Sequence, residues 1–278
     1  MIPRGRPFFK MSGSGNDFVM VDARTTPPGE LAEADVVQRV CERATGVGAD
    51  GIVFLEPAAG AAVKLVYLNA DGSRADFCGN ATLCTTRLSV ELGIAGPGRD
   101  FQIATDSGLV TARLRQDGTA EIDLPAVSEV HEAADPIRPA ASEQRIGFAL
   151  VGVPHLVVVV PDVEAVDLVG RGRPLRMDAS LKIGANVNFI SPAAESASGV
   201  WLTRTYERGV EGETLACGSG AVASAVLLTA WGLAEPPVKL QTRSGKVLEV
   251  RLSRSGSDWL PSLSGEARLV FEGRLGEL

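Results

Sequence analysis

Hydrophobic and polar positions divide this chain into many short segments, most with the period of a strand and a few with the period of a helix. Phe8 and Phe9 lead into a strand, a turn at Gly13-Ser14-Gly15, and a second strand ending at Met20-Val21-Asp22. That turn reads as a hairpin, not a phosphate loop, because no Gly-x-Gly-x-x-Gly opens a helix after it. Residues 31–44 place Val36, Val37 and Val40 at helical spacing, with Gly46 as the stop. Strands are predicted over residues 52–55, 63–68, 101–105, 109–114 and 120–124, and again over 146–152, the valine run after Pro154-His155, 186–190 and 200–206. Residues 163–169 read as helical, residues 126–143 as an irregular connection, and residues 207–216 as a polar loop.

Two helices stand apart from the rest because of what precedes them. Residues 81–92 follow Cys78-Gly79-Asn80, and the apolar run from residue 221 follows Cys217-Gly218-Ser219-Gly220, 139 positions later (217 − 78). Each is followed by a strand, a Ser-Gly turn and a strand, at residues 101–114 and 238–252. This duplication predicts an α+β protein of two pseudo-symmetric halves with the active site in the cleft between them. A cysteine at a helix N-terminus is electrostatically favoured as a thiolate, and the unpaired N–H groups there can hold a carboxylate. Two such ends gripping one carboxylate would set a thiol on each side of its α-carbon. That suits a racemase or epimerase that removes a proton from one face and returns it to the other. Both sulfurs would approach one carbon, so mild oxidant is expected to join them.

Composition narrows the alternatives. A chain of 278 residues, 45% hydrophobic and 22% charged, is an ordinary globular one. The net charge of −7 argues against a nucleic-acid partner. The basic start MIPRGRPFFK lacks an apolar core, and the apolar run of residues 221–233 falls short of the roughly 20 residues of a membrane span. Four cysteines without Cys-x-x-Cys, and two histidines, suit neither a disulfide scaffold nor a zinc site. A cytoplasmic protein with reduced thiols is expected, with no metal, no cofactor and no membrane partner. Cys41 and Cys84 read as small core residues.

Several motifs, in order, resemble the diaminopimelate epimerase family: Lys10-Met11 with Gly13, Gly15-Asn16-Asp17-Phe18-Val19, Asn69-Ala70-Asp71-Gly72-Ser73, Cys78-Gly79-Asn80, Asn186-Val187-Asn188-Phe189, Glu207-Arg208-Gly209, Gly212-Glu213-Thr214 and Ala216-Cys217-Gly218-Ser219-Gly220. The resemblance implies a cofactor-independent epimerase interconverting LL- and meso-2,6-diaminopimelate for lysine and peptidoglycan synthesis. It implies two domains, residues 1–118 with 266–278 and residues 119–265, each a β-barrel-like sheet around a central helix. Cys78 and Cys217 would be the acid/base pair, assisted by His155 and Glu207. The N–H groups of Gly79, Asn80, Gly218 and Ser219 would hold the reacting carboxylate. Asn16, Asn69, Asn188, Glu207 and Arg208 would recognise the distal end of a small amino-acid substrate. His155 could equally be a satisfied buried histidine and the asparagines turn caps, and a homodimer is left open.

Three stretches depart from the family pattern. Ala81-Thr82-Leu83 stands where the family has Gly-x-Arg, Val153 replaces an asparagine, and Val210-Glu211 fills a single position. These changes leave room for a relative acting on another amino acid. A binding or thiol-redox protein without turnover is a third reading.

Overall fold

The computed structural model describes residues 4–133, 136–193 and 199–277. They form two compact units, one from residues 1–122 and 264–278, the other from residues 123–263.

In the first unit, β1 (Pro7–Gly13) and β2 (Asn16–Asp22) make an antiparallel hairpin. A 3-10 turn (Gly29–Ala32) and helix α1 (Ala34–Cys41) lead to β3 (Gly51–Glu56), which lies parallel to β2 with Gly51 opposite Phe18. Antiparallel to β3 comes β4 (Val63–Asn69), with the short β5 (Arg74–Ala75) returning on it. Helix α2 (Gly79–Glu91) follows, then the hairpin of β6 (Phe101–Thr105) and β7 (Gly108–Leu114), β6 lying parallel to β4. After them β8 (Ala120–Asp123) pairs with β7, and the chain's last strand, Ala267–Arg274, pairs antiparallel with β1.

Helix α2 packs against β1, β2, β4, β7 and that last strand. It buries Ala81, Leu83, Cys84 and Leu88, and also Thr82, Thr85, Thr86 and Ser89. Thr86 and Thr82 are tolerated because each hydroxyl donates to the carbonyl four residues back, Thr82 and Cys78 respectively, both at 2.8 Å. On the other face of the sheet, Val19, Val21, Ile52 and Phe54 pack on Val36, Val37 and Val40 of α1. Burial on both faces is why these strands read as continuous apolar runs. The first helix is shorter than residues 31–44. It ends at Cys41, where Glu42 turns extended (φ −60°, ψ 125°). Gly46 is not its cap; it crosses so close over the carbonyls of Arg39 and Val40 that a Cβ would overlap them.

The second unit repeats the succession. Three residues of the expected irregular stretch form β9 (Val130–Glu132), which pairs with β10 (Arg145–Val151), and β10 makes a hairpin with β11 (Val153–Val159). Past helix α3 (Leu168–Arg176), β12 (Asn186–Pro192) lies parallel to β11 with Asn186 opposite His155. Next, β13 (Val200–Glu207) is antiparallel to β12, and β14 (Gly212–Thr214), inside the expected loop, returns on β13. Helix α4 (Gly218–Ala230) precedes β15 (Val238–Gln241), which is parallel to β13 and antiparallel to β16 (Val247–Ser255). Strand β17 (Asp258–Gly265) closes the unit's run, and the last strand is thus β18 (Ala267–Arg274).

So hairpin, parallel strand, antiparallel strand, short return strand, helix and hairpin occur twice, giving two pseudo-symmetric α+β units. Helix α4 is buried from Gly220 to Leu228, apolar all round, and packs on β10, β11, β12, β15 and β16. The helix expected at residues 163–169 lies later. Asp167 caps it, accepting from Gly170 N–H at 3.0 Å, and Leu168 and Leu175 anchor it in the core. No helix among the described residues is long and apolar enough to cross a membrane.

Candidate active site

Cys78 and Cys217 occupy the same place in their units. Each is the extended residue immediately before the first turn, Cys78 at φ −143°, ψ 114° before α2 and Cys217 at φ −133°, ψ 109° before α4. Their carbonyls already belong to the helices, accepting from Thr82 N–H at 2.9 Å and Ala221 N–H at 3.0 Å. Neither thiol makes a capping hydrogen bond. The N–H groups of Gly79 and Asn80, and of Gly218 and Ser219, are first-turn donors with no intrahelical acceptor, at the positive end of the macrodipole. Both thiols are half-buried and no disulfide joins any of the four cysteines. Cys41 and Cys84 are buried, which pushes the Cys41 thiol up to about 12 and the Cys84 thiol higher still.

In the first unit the structure brings Asn16 and Asn80 together beside Cys78. Asn80 is 3% exposed and donates its amide to Asn16 Oδ1 at 2.7 Å. Asn16 in turn donates to Asp50 Oδ2 at 2.9 Å. Asn69 lies at the end of β4 opposite Gly51, and its amide bonds Ser73 Oγ at 3.0 Å, the turn-closing role weighed for it.

In the second unit one polar cluster forms under the first turn of α4. Asn188 donates to the Leu156 carbonyl at 3.0 Å and to His155 Nδ1 at 3.2 Å, and its Oδ1 accepts from Thr205 Oγ1 at 2.9 Å. A carbonyl can only accept, so the Asn188 amide nitrogen must face Leu156, and His155 Nδ1 is then the acceptor. The ring proton therefore sits on Nε2, a buried donor with no hydrogen-bond partner among the described residues. Asn188, expected to touch ligand, is fully buried with these three bonds made inside the unit; its position makes it the holder of His155. Thr205 and Glu207 are two apart on β13 and share a face. Burial pushes the Glu207 carboxyl up, with the nearby Thr214 hydroxyl pulling the other way.

Two further polar residues were not singled out in the sequence. Asn186 precedes Asn188 by one strand period and accepts from Arg208 N–H at 2.8 Å. Asp50, just before β3, is the other. The extra residue of the loop leaves Glu211 at φ 56°, where its carboxylate takes Arg176 at 2.8 Å and Gly209 N–H at 3.1 Å. The insertion thereby ties the loop behind Arg208 to α3.

Burial, and then the charge of Arg208, lower the His155 pKa from 6.5 to about 3. The folded protein holds this ring neutral while the unfolded chain binds a proton below pH 6.5. Stability from this site is therefore complete above pH 6.5 and falls as the pH drops toward 3. Melting temperature is expected to decline between pH 7 and 4, and a His155→Gln variant to lose part of that decline. An identical slope in both proteins would refute the assignment.

The model of a family described as diaminopimelate epimerase matches residues 8–128 and 147–270. A curated relative, diaminopimelate epimerase of Gemmatimonas aurantiaca, is 45% identical over 98% of this chain and 99% of its own. Among solved structures, a Bacillus anthracis phenazine biosynthesis protein of the PhzF family superposes with a TM-score of 0.75 at 15% identity, covering 98% of this chain and 99% of that one. A hydroxyproline epimerase from Agrobacterium vitis, with bound trans-4-hydroxy-L-proline, gives 0.69 at 17% identity over 99% and 92%. These two likenesses concern the fold.

Proposed function

Because the chain belongs to the diaminopimelate epimerase family, we propose that it interconverts LL- and meso-2,6-diaminopimelate, in lysine biosynthesis, by passing one α-proton between the thiols of Cys78 and Cys217. One observation carries this reading: each pseudo-symmetric unit sets a half-buried cysteine at the position immediately before the first turn of its buried helix. One thiolate takes the α-proton and becomes a thiol. The electron pair left on carbon spreads into the α-carboxylate, which the first-turn N–H groups stabilise as charge develops. The other thiol then delivers its proton to the opposite face and becomes the thiolate. A thiol pKa of about 8.5 lets one thiol and one thiolate coexist near neutrality. His155, neutral with its proton on Nε2, can donate to a thiolate or ligand without bringing a positive charge. Glu207, whose carboxyl burial pushes up, is assigned to assist the proton transfers of the thiols. Asn69 and Arg208 are assigned to the distal end, since an arginine grips a carboxylate bidentately, whereas Asn16 has its amide engaged by Asp50 and Asn80. Both thiols work only when reduced, which fits a cytoplasmic enzyme.

The test is α-proton exchange in deuterated water under reducing conditions, with LL-diaminopimelate beside a panel of single amino acids. Exchange with diaminopimelate alone is expected. Exchange only with another amino acid would keep the chemistry and reassign the substrate, the reading that Val153 and the Ala81-Thr82-Leu83 run after Cys78 favour. Exchange with none would leave a binding protein.

A further inference from the structure

The amides beside Cys78 have their orientation forced from Asp50. The backbone of Asp50 is pinned on both sides, its N–H donating to Asp17 O at 2.9 Å and its carbonyl accepting from Ala70 N–H at 3.0 Å. Its carboxylate receives three donors: Arg43 Nη2 at 2.6 Å, Asn16 Nδ2 at 2.9 Å and Asp17 N–H at 3.1 Å. A carboxylate only accepts. Asn16 must therefore turn its nitrogen to Asp50 and its Oδ1 away. That Oδ1 takes Asn80 Nδ2, and Asn80 is left presenting a buried Oδ1 with no hydrogen-bond partner among the described residues. The charges around the relay are already matched. Arg43 bridges Asp50 and Asp17, and Lys10 donates to Asp17 at 2.6 Å and to the Gly48 carbonyl. A buried lone acceptor is costly unless a ligand supplies the donor.

We propose that Asp50 is a positioning residue that makes this site select an amine: through Asn16 it presents Asn80 Oδ1 to an N–H of the substrate's α-ammonium. This rests on the reading of the reaction given above. The backbone N–H of the same Asn80 is one of the donors assigned to the α-carboxylate. One residue thus meets both charged groups of the reacting carbon, an acceptor for the ammonium and a donor for the carboxylate.

The test is Asp50→Asn. An amide at position 50 can donate as well as accept, so Asn16 and Asn80 are free to flip and offer the ammonium an N–H. KM is measured for the amino acid that the wild type exchanges, and Ki for its analogue with hydroxyl in place of the α-amine. The expected result is a KM raised about tenfold or more with Ki changed less than about twofold, because a hydroxyl accepts as readily as it donates. Equal weakening of both would mean a merely structural role and would overturn the proposal. Asn80→Ala keeps the backbone donor and the Asp50 charge, and serves also if Asp50→Asn fails to fold. It must shift the same ratio; a ratio that stays put in Asn80→Ala would assign any effect of Asp50→Asn to its lost charge and equally overturn the relay. A wild type that exchanges no amino acid would overturn the reaction and this proposal together, whereas normal exchange with an unaltered ratio would overturn this proposal alone.

Discussion

Cys78→Ala and Cys217→Ala are each expected to lower epimerisation by about a thousandfold, within the range by which a positioned acid or base accelerates proton transfer. Neither change should disturb the fold. The thiols make no capping bond, both side chains are half-buried, and the backbone bonds that start α2 and α4 remain. The parent melting temperature should therefore be kept to within a few degrees. The two variants should differ in one respect. A single remaining thiol can take a proton and return it only to the face it came from. Each variant should consequently wash deuterium into one epimer without inverting it, and the two variants should choose opposite epimers. Proton NMR of LL- and meso-diaminopimelate incubated separately with each variant decides this. Undiminished epimerisation by either variant would exclude the two-thiol mechanism. Residual exchange into the same epimer by both would mean that the thiols do not serve opposite faces.

Gly220→Ala is expected to damage the second unit, although helix propensity alone argues the reverse. Alanine in place of a helical glycine gains about 0.8–1.0 kcal/mol. At position 220, however, the added Cβ would overlap Asn188 Oδ1 and lie 3.2 Å from Cys217 Sγ. Asn188 cannot retreat without giving up its bonds to Thr205, Leu156 and His155. Overpacking of this kind costs about 1–3 kcal/mol, so the net effect is destabilising by roughly 0–2 kcal/mol. The functional loss should be larger than the thermal one. Tilting His155 and pressing on the Cys217 thiol misplaces two acid/base groups, and a misplacement near 1 Å costs about a hundredfold. Denaturant melts and kcat measured on the same preparation check both parts. A stabilised, fully active Gly220→Ala would show that the α4 start is looser than the hydrogen bonds around Asn188 imply.

Much of the fold was legible because it is local. Alternating and unbroken apolar runs marked most of the strands, and the repeated order of cysteine, helix and Ser-Gly hairpin marked the pseudo-symmetry, because each of these is written in neighbouring residues. The helix expected at residues 31–44 was too long, since nothing local says that Glu42 must turn extended so that residues 46–48 can fold back over α1. The helix expected at residues 163–169 was misplaced for a related reason. Gly170, Gly172 and Pro174 depress its propensity, and it forms because Leu168 and Leu175 are buried in the core and Asp167 caps it.

By itself, then, the sequence determined the residue types available for chemistry: two Cys-Gly helix starts, a lone buried-strand histidine, and a set of asparagines at strand ends. Helix ends and strand periods are short-range features, and a helix N-terminus carries its field wherever it is placed. Only the tertiary structure decided which of the polar groups face one another. It made Asn188 the holder of His155, put the histidine proton on Nε2, and made Asp50 the origin of the Asn16–Asn80 orientation. Hydrogen-bond partners 33 to 64 residues apart meet through strand register and through the packing of α2 on β2. Their donor and acceptor roles follow from groups such as the Leu156 carbonyl and the Asp50 carboxylate, which can only accept.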